Sequence, residues 1–95
     1  MIEIMRFRLP PDGDEAAFLA ADRRLQEEFV YQQPGLLRRT VARGEDGGWI
    51  MIALWRSSAD ADACEARAEH DELTRAFWAL LDRSSLSVER YQELG

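Results

Sequence analysis

The sequence predicts a single α+β domain with the ferredoxin-like element order β-α-β-β-α-β and a four-stranded antiparallel sheet. Three observations support this prediction. The chain has 95 residues, which leaves room for one domain spanning residues 1–95. An uninterrupted apolar run of strand-forming residues occupies its middle. Two segments with helical periodicity each lie between strand-like segments, so each half of the chain reads as β-α-β.

The first strand and the first helix can be placed from local signals. Residues 2 to 9 alternate loosely between apolar and polar and end at Pro10-Pro11, where the second proline excludes helix. Asp14 is placed to cap a helix whose apolar residues recur at steps of three and four. The helix is expected to end near Gln32 or Gln33, because Pro34 cannot continue it.

The third strand is the most informative segment. Residues 36 to 43 are compatible with a strand, and a glycine-rich loop joins them to residues 49 to 55, which are apolar at every position. Such a strand requires cover on both faces of its sheet. Two helices can cover only one face, and an open apolar face usually marks an interface. We therefore predict a homodimer joined through the sheet faces, with a last strand at residues 86 to 91.

Composition excludes several kinds of partner and chemistry. The formal net charge is −6 and all 12 basic residues are arginines with acidic residues nearby, which argues against nucleic acid. No stretch approaches the ~20 apolar residues of a membrane span, and the start of the chain lacks signal-peptide character. One histidine and one cysteine cannot supply the ligands of a zinc site within a single chain, so we expect no metal. The unpaired cysteine is typical of a cytoplasmic protein.

Asp22 lies inside the apolar stripe of the first helix, close to the direction of Phe18 and Leu25. A carboxylate in apolar surroundings is a candidate catalytic acid, or a group that orients a base. It is also a candidate for a structural ion pair with an arginine of the sheet, such as Arg39 or Arg6. We favour the ion pair, because structural networks also place carboxylates in such positions.

The second helix, capped by Ser57 or Ser58, is predicted to run to about Asp82. If it is continuous, His70 faces inward with Phe77 and is a candidate general base, since imidazole suits proton transfer near neutral pH. If residues 69 to 71 break the helix and Asp71 caps its second half, His70 is partly exposed. The sequence leaves both interpretations open.

At this point the chain resembles the dimeric α+β barrel superfamily and, within it, the antibiotic biosynthesis monooxygenase (ABM) domain family. The features that carry the resemblance are the element order, the length, and two junctions. These junctions are Gln33-Pro34-Gly35-Leu36 after the first helix and Trp55-Arg56-Ser57-Ser58 before the alanine-rich second helix. The resemblance implies a pocket between the sheet and the helices of each subunit.

The family includes cofactor-free oxygenases of phenolic or quinol-like polyketides and haem-degrading enzymes, and related barrels include cyclases and isomerases. The haem-degrading members use an asparagine on the first strand, and this chain has no asparagine. Haem degradation is therefore disfavoured. The polyketide oxygenases also employ an asparagine in their pocket, so only their general scheme carries over.

That scheme implies a homodimeric, cofactor-free monooxygenase acting on an aromatic, quinol-like or polyketide metabolite. His70 would take a proton from a substrate hydroxyl, with Asp22 as the group that orients the base or the substrate, and the resulting anion would reduce O₂. Arg39 would pair with the anion, and three aromatic side chains would contact the substrate: Phe18, Phe77 and Trp78. The alternatives are a non-catalytic small-ligand-binding or assembly module of the same fold, and a polyketide cyclase or isomerase.

Overall fold

The computed structural model describes residues 1–95 and confirms the predicted ferredoxin-like fold with a four-stranded antiparallel sheet. In chain order the elements are β1 (Ile2–Arg8), α1 (Glu15–Glu28), β2 (Leu36–Arg43), β3 (Trp49–Trp55), α2 (Ser58–Ala68), α3 (Glu72–Ala79) and β4 (Asp82–Tyr91). The sheet order is β2-β3-β1-β4 with every neighbouring pair antiparallel, as expected of a ferredoxin-like sheet. None of the helices is long and apolar enough to cross a membrane.

The hydrophobic core lies between one face of the sheet and the three helices. Alternate residues of β3 are buried there: Trp49, Met51, Ala53 and Trp55. Side chains at alternate positions point to the same face of a strand, so this face also carries Met5 and Phe7 of β1. Phe18 of α1 and Phe77 of α3 are the largest fully buried side chains and pack on this face.

The other face of the sheet is aliphatic and only partly buried within the subunit. Its centre consists of Ile50, Ile52 and Leu54 of β3 with Ile2 and Ile4 of β1. Ile4 pairs with Ile52, and Ile2 pairs with Leu54, so the five side chains form one continuous patch. We call this patch the outer face. The helices pack on the opposite side of the sheet, as the apolar run in the sequence implied.

Helix α1 begins where predicted and ends earlier. The Asp14 side chain accepts a hydrogen bond from the backbone N–H of Ala17 (3.1 Å), which satisfies one of the free donors at the helix start. The α-helix ends at Glu28 rather than near Gln33, and a single 3₁₀ turn, Val30–Gln32, fills the remaining space before Pro34. The tighter turn is a common way to finish a helix before a proline.

Of the two interpretations of the second helical region, the broken helix with Asp71 as a cap is confirmed, and the continuous helix is not formed. The region consists of two helices, α2 and α3, separated by a turn at residues 69 to 71. Asp71 has an extended backbone, and its carboxylate accepts hydrogen bonds from both the N–H and the hydroxyl of Thr74 (2.8 Å each). Asp71 is therefore the N-cap of a separate helix, α3.

Strand β4 is longer than predicted, because Ser84 and Ser85 belong to it instead of ending the helix before it. The strand register shifts between Arg6 and Arg8 at this point. The Ser85 hydroxyl accepts a hydrogen bond from the backbone N–H of Arg8 (2.7 Å) and so replaces the missing backbone partner. Side-chain hydrogen bonds of this kind let serine stand in a strand despite its preference for turns.

Candidate functional site

A cavity of about 570 Å³ lies between the sheet and the helices. This volume falls in the range of about 300–1,000 Å³ that is usual for small-ligand sites. Fourteen of its nineteen lining residues are hydrophobic, so an aromatic or otherwise apolar ligand fits it best. Large side chains therefore do not fill the space between the sheet and the helices, so a ligand could occupy it.

Residues of the sheet and of all three helices line the cavity. The floor is the inner face of the sheet, with Met5, Met51, Ala53 and Trp55. The helices contribute small and aromatic side chains, listed from α1 to α3: Leu25, Ala61, Cys64, Ala68, Thr74, Phe77 and Trp78. The small residues of α2 leave the space open, because a larger side chain at those positions would enter the cavity.

Arg39 is the buried charged residue of the floor, with 8% of the residue exposed. It pairs with Ala53 across the sheet, which places its side chain on the inner face. A register shift between Leu36 and Arg38 turns Leu37 outward, where it is 66% exposed. Because of this irregularity, Arg39 lies on the inner face while Leu37 points outward, although the two residues are two positions apart.

Asp22 and Arg39 form the predicted ion pair. The Nη2 of Arg39 donates to Asp22 Oδ1 at 2.8 Å, and both side chains are at least 94% buried. Gln26, one helical turn after Asp22, donates from Nε2 to Asp22 Oδ2 at 2.7 Å. Both carboxylate oxygens therefore have partners, as a buried charge requires. Gln26 therefore belongs to the same hydrogen-bond network as the ion pair.

Two buried donors at the cavity have no hydrogen-bond partner. They are Nη1 of Arg39 and Nε1 of Trp55, and both residues line the cavity. Trp55 lies two residues beyond Ala53, the partner of Arg39, so the two side chains are diagonal neighbours on the inner face. An unsatisfied buried donor costs about 1–3 kcal/mol, which a ligand oxygen would recover. Sequence reasoning missed Trp55, because strand parity alone does not tell which face is inner.

Of the three aromatic side chains predicted to contact the substrate, two line the cavity and one does not. Phe77 and Trp78 line the cavity, and the guanidinium carbon of Arg39 lies 5.9 Å from the centre of the Phe77 ring. Phe18 is fully buried and does not line the cavity. Its ring packs against Phe7, Trp49 and Phe77 with centroid distances of 4.9–5.6 Å, which makes it a core residue that supports Phe77.

His70 does not reach the cavity. It is exposed in the turn between α2 and α3 and is absent from the lining residues. The cause is the Asp71 cap, which ends the helical path that would have turned His70 inward. The expected general base therefore stands apart from Asp22 and Arg39, while the structure brings these two residues together with Phe77 and Trp78.

The edge of the cavity beside β4 is charged. Arg90 bonds to Glu3 of β1 (2.9 Å) and to Asp62 of α2 (2.6 Å), and Glu65 lies 3.7 Å away. Arg90 thereby ties α2, which buries only Ala61, to the sheet. Cys64 lines the same part of the cavity, and burial raises the pKa of its thiol. A protonated thiol is a poor nucleophile, so Cys64 acts as a small apolar wall.

No group of three or more His, Cys, Asp or Glu side chains could hold a metal ion. The only charged side chains that line the cavity are Arg39 and the cluster formed by Glu3, Glu65 and Arg90. The site can therefore bind an apolar ring, and the unpartnered nitrogens of Arg39 and Trp55 are candidate donors to the oxygen atoms of such a ligand. A buried positive group beside a bound oxygen stabilises negative charge that develops there.

Comparison with known proteins found one matching family model and several solved structures with a similar fold. The family model described as antibiotic biosynthesis monooxygenase matches residues 1–76. No curated protein matches the sequence at a significant level.

Among solved structures, SnoaB of Streptomyces nogalater, a cofactor-independent oxygenase, is similar with a TM-score of 0.77 and 23% identity, covering 98% of this chain and 93% of its own. A candidate antibiotic biosynthesis monooxygenase of Bordetella bronchiseptica has a TM-score of 0.80 and 16% identity, with 98% and 95% covered. Rv0793 of Mycobacterium tuberculosis has a TM-score of 0.72 and 19% identity, with 99% and 94% covered. At these identities the likeness establishes the fold.

Proposed function

This chain belongs to the antibiotic biosynthesis monooxygenase family, and from that premise we propose that it is a cofactor-free monooxygenase of an aromatic, quinol-like metabolite. The observation that carries the proposal is the apolar cavity with two unpartnered donors, Arg39 Nη1 and Trp55 Nε1. Trp78 and Phe77 would pack on the substrate ring, and the two donors would hold its oxygen atoms.

The reaction begins when a hydroxyl of the bound substrate loses its proton to water. Hydrogen bonds from Arg39 and Trp55 favour the resulting oxyanion, since they are already in place and need no reorganisation. In a substrate of the anthrone kind, whose CH₂ carbon shares the charge of the oxyanion, the anion transfers electrons to O₂ and a C–O bond forms at that carbon. Loss of water then breaks the O–O bond. One oxygen atom ends in a carbonyl, the other in water, and the carbon supplies all four electrons.

Asp22 serves this scheme as a positioning residue. It is absent from the cavity lining, and it holds the Nη2 side of the Arg39 guanidinium so that Nη1 remains for the substrate. Holding a side chain in one geometry by packing and hydrogen bonds is a general requirement of catalytic sites.

The expected location in the cytoplasm stays a prediction from the unpaired cysteine.

We further propose that the working form is a homodimer joined through the outer face. Five partly exposed aliphatic side chains form that face, with no helix over them. A domain of 95 residues buries only roughly 60–68% of its chain surface, so a partner on this face adds stability. The cavity lies on the opposite side of the sheet, and each subunit would hold its own.

The Trp55→Phe variant tests the proposed chemistry, because it removes the Nε1 donor and keeps an aromatic ring. Oxygen uptake with a panel of hydroquinones and anthrones should fall by about 10²-fold in kcat/KM, the effect of losing one donor to an oxyanion. Trp49→Phe is the matched control. Trp49 lies on the same strand and the same face but does not line the cavity, so its kcat/KM should stay within about threefold of wild type. Substrate turnover without oxygen uptake would instead indicate a cyclase or isomerase.

His70→Ala should leave kcat, its pH profile and the melting temperature close to those of wild type. The reason is position, since His70 is exposed and lies outside the cavity. The measurement is steady-state oxygen uptake between pH 6 and pH 9. A fall of about 10²-fold or more, the usual effect of losing a general base, would restore His70 to the mechanism.

A further inference from the structure

The buried charge around the cavity restricts the ligands that it can take. Arg39 is the buried positive group of the cavity, and Asp22 already neutralises it through a hydrogen bond of 2.8 Å. At the charged edge, Glu3 and Glu65 share the single positive charge of Arg90. The groups that face or support the cavity therefore carry net negative charge before any ligand enters.

Asp22 also restricts the way in which the Arg39 guanidinium can bind a ligand. Nη2 donates to Asp22, and only Nη1 is buried without a partner. Carboxylates are usually recognised by two parallel N–H donors of one arginine. Each of the two guanidinium edges that can hold a carboxylate in this way, Nε–Nη2 and Nη1–Nη2, includes Nη2, so a bound carboxylate would share that nitrogen with Asp22. A hydroxyl or carbonyl oxygen can instead use Nη1 alone.

We propose that the cavity admits an uncharged aromatic ligand held through a hydroxyl or carbonyl oxygen on Arg39 Nη1, and that Asp22 is the residue that excludes carboxylates. The inference rests on the proposed function, since it names the charge state of the substrate in the same cavity. A permanently charged ligand would lose its water among apolar walls and meet excess negative charge, and both effects weaken binding. A substrate that ionises only in the course of the reaction avoids this cost on entry.

Three naphthalene ligands test the proposal by isothermal titration calorimetry at pH 7 with the wild-type protein. 2-Naphthol and 2-naphthamide are uncharged, and 2-naphthoate has nearly the shape of the amide with a negative charge. We expect both uncharged ligands to bind at least tenfold more tightly than 2-naphthoate. Equal or tighter binding of 2-naphthoate overturns the inference and leaves the proposed function standing. Binding of none of the three overturns the proposed function and the inference together.

Asp22→Asn then identifies the residue responsible. Asparagine keeps the shape of the side chain and removes its charge, so 2-naphthoate should gain at least tenfold in affinity and should raise the melting temperature of this variant. Gln26→Met is the matched control, because it changes the same network without changing its charge. Its preference for uncharged ligands should persist. If Asp22→Asn binds 2-naphthoate no better than wild type, Asp22 is not the excluding residue.

Discussion

Asp22→Ala should lower the free energy of unfolding by about 3–5 kcal/mol, which is the usual cost of leaving one partner of a buried ion pair alone. Arg39 is 8% exposed, and without Asp22 its charge has no counter-ion in the core. Domains of this size have a total stability of roughly 5–15 kcal/mol, so the variant should be partly unfolded near physiological temperature. Urea denaturation followed by circular dichroism measures the change.

The double variant Asp22→Leu/Arg39→Met should recover most of that loss, because apolar residues of similar volume can replace a buried ion pair with little net cost. Glu28→Ala provides the surface control. Glu28 pairs with Arg24 on the exposed side of the same helix, and its loss should barely move the urea midpoint. A small effect of Asp22→Ala, comparable with that of Glu28→Ala, would mean that water reaches Arg39 in the absence of Asp22.

Ile52→Glu should weaken the proposed dimer by at least about 100-fold in dissociation constant. Ile52 lies in the middle of the outer face, between Ile4 on β1 and Thr40 on β2. Placing a carboxylate in an apolar interface costs several kcal/mol, and each 1.4 kcal/mol corresponds to a factor of ten. Sedimentation equilibrium at micromolar concentration should show a dimer for the wild type and a monomer for the variant.

Leu19→Glu is the control for the dimer test. It makes the same kind of change at a side chain that is 43% exposed on α1, away from the outer face. That variant should remain dimeric. A wild-type protein that is monomeric at these concentrations, or an Ile52→Glu protein with an unchanged dissociation constant, would remove the outer face as the dimer interface. The cavity proposal would be unaffected, since the cavity is built from one subunit.

The site was predicted in part from residue patterns. The periodicity of α1 places Asp22 toward the core, and the alternation of β2 places Arg39 on the inner face, so their ion pair could be anticipated. The inward position of Phe77 followed in the same way. Gln26, Trp55 and Arg90 were missed as parts of the site, because their roles depend on distances between elements far apart in the chain.

The position of His70, by contrast, could not be decided from the sequence. Its placement depends on a single local competition at residues 69 to 71, between continuing one helix and starting another. Helix propensities differ by less than about 1 kcal/mol among ordinary residues, and an N-cap contributes a similar amount. Periodicity over a long window cannot resolve so small a difference. The Asp71 cap decided it, and the chain's only histidine faces solvent as a result.

The sequence by itself determined the order of the strands and the apolar character of both faces of β3. Each of these depends on neighbouring residues: periodicity, caps, prolines and the apolar run at β3. Only the tertiary structure decided that a cavity exists and which donors in it are free. A cavity is space that packed elements leave unfilled, and a free donor is one whose possible partners have all gone elsewhere. Both are properties of the whole packing arrangement, which no local pattern encodes.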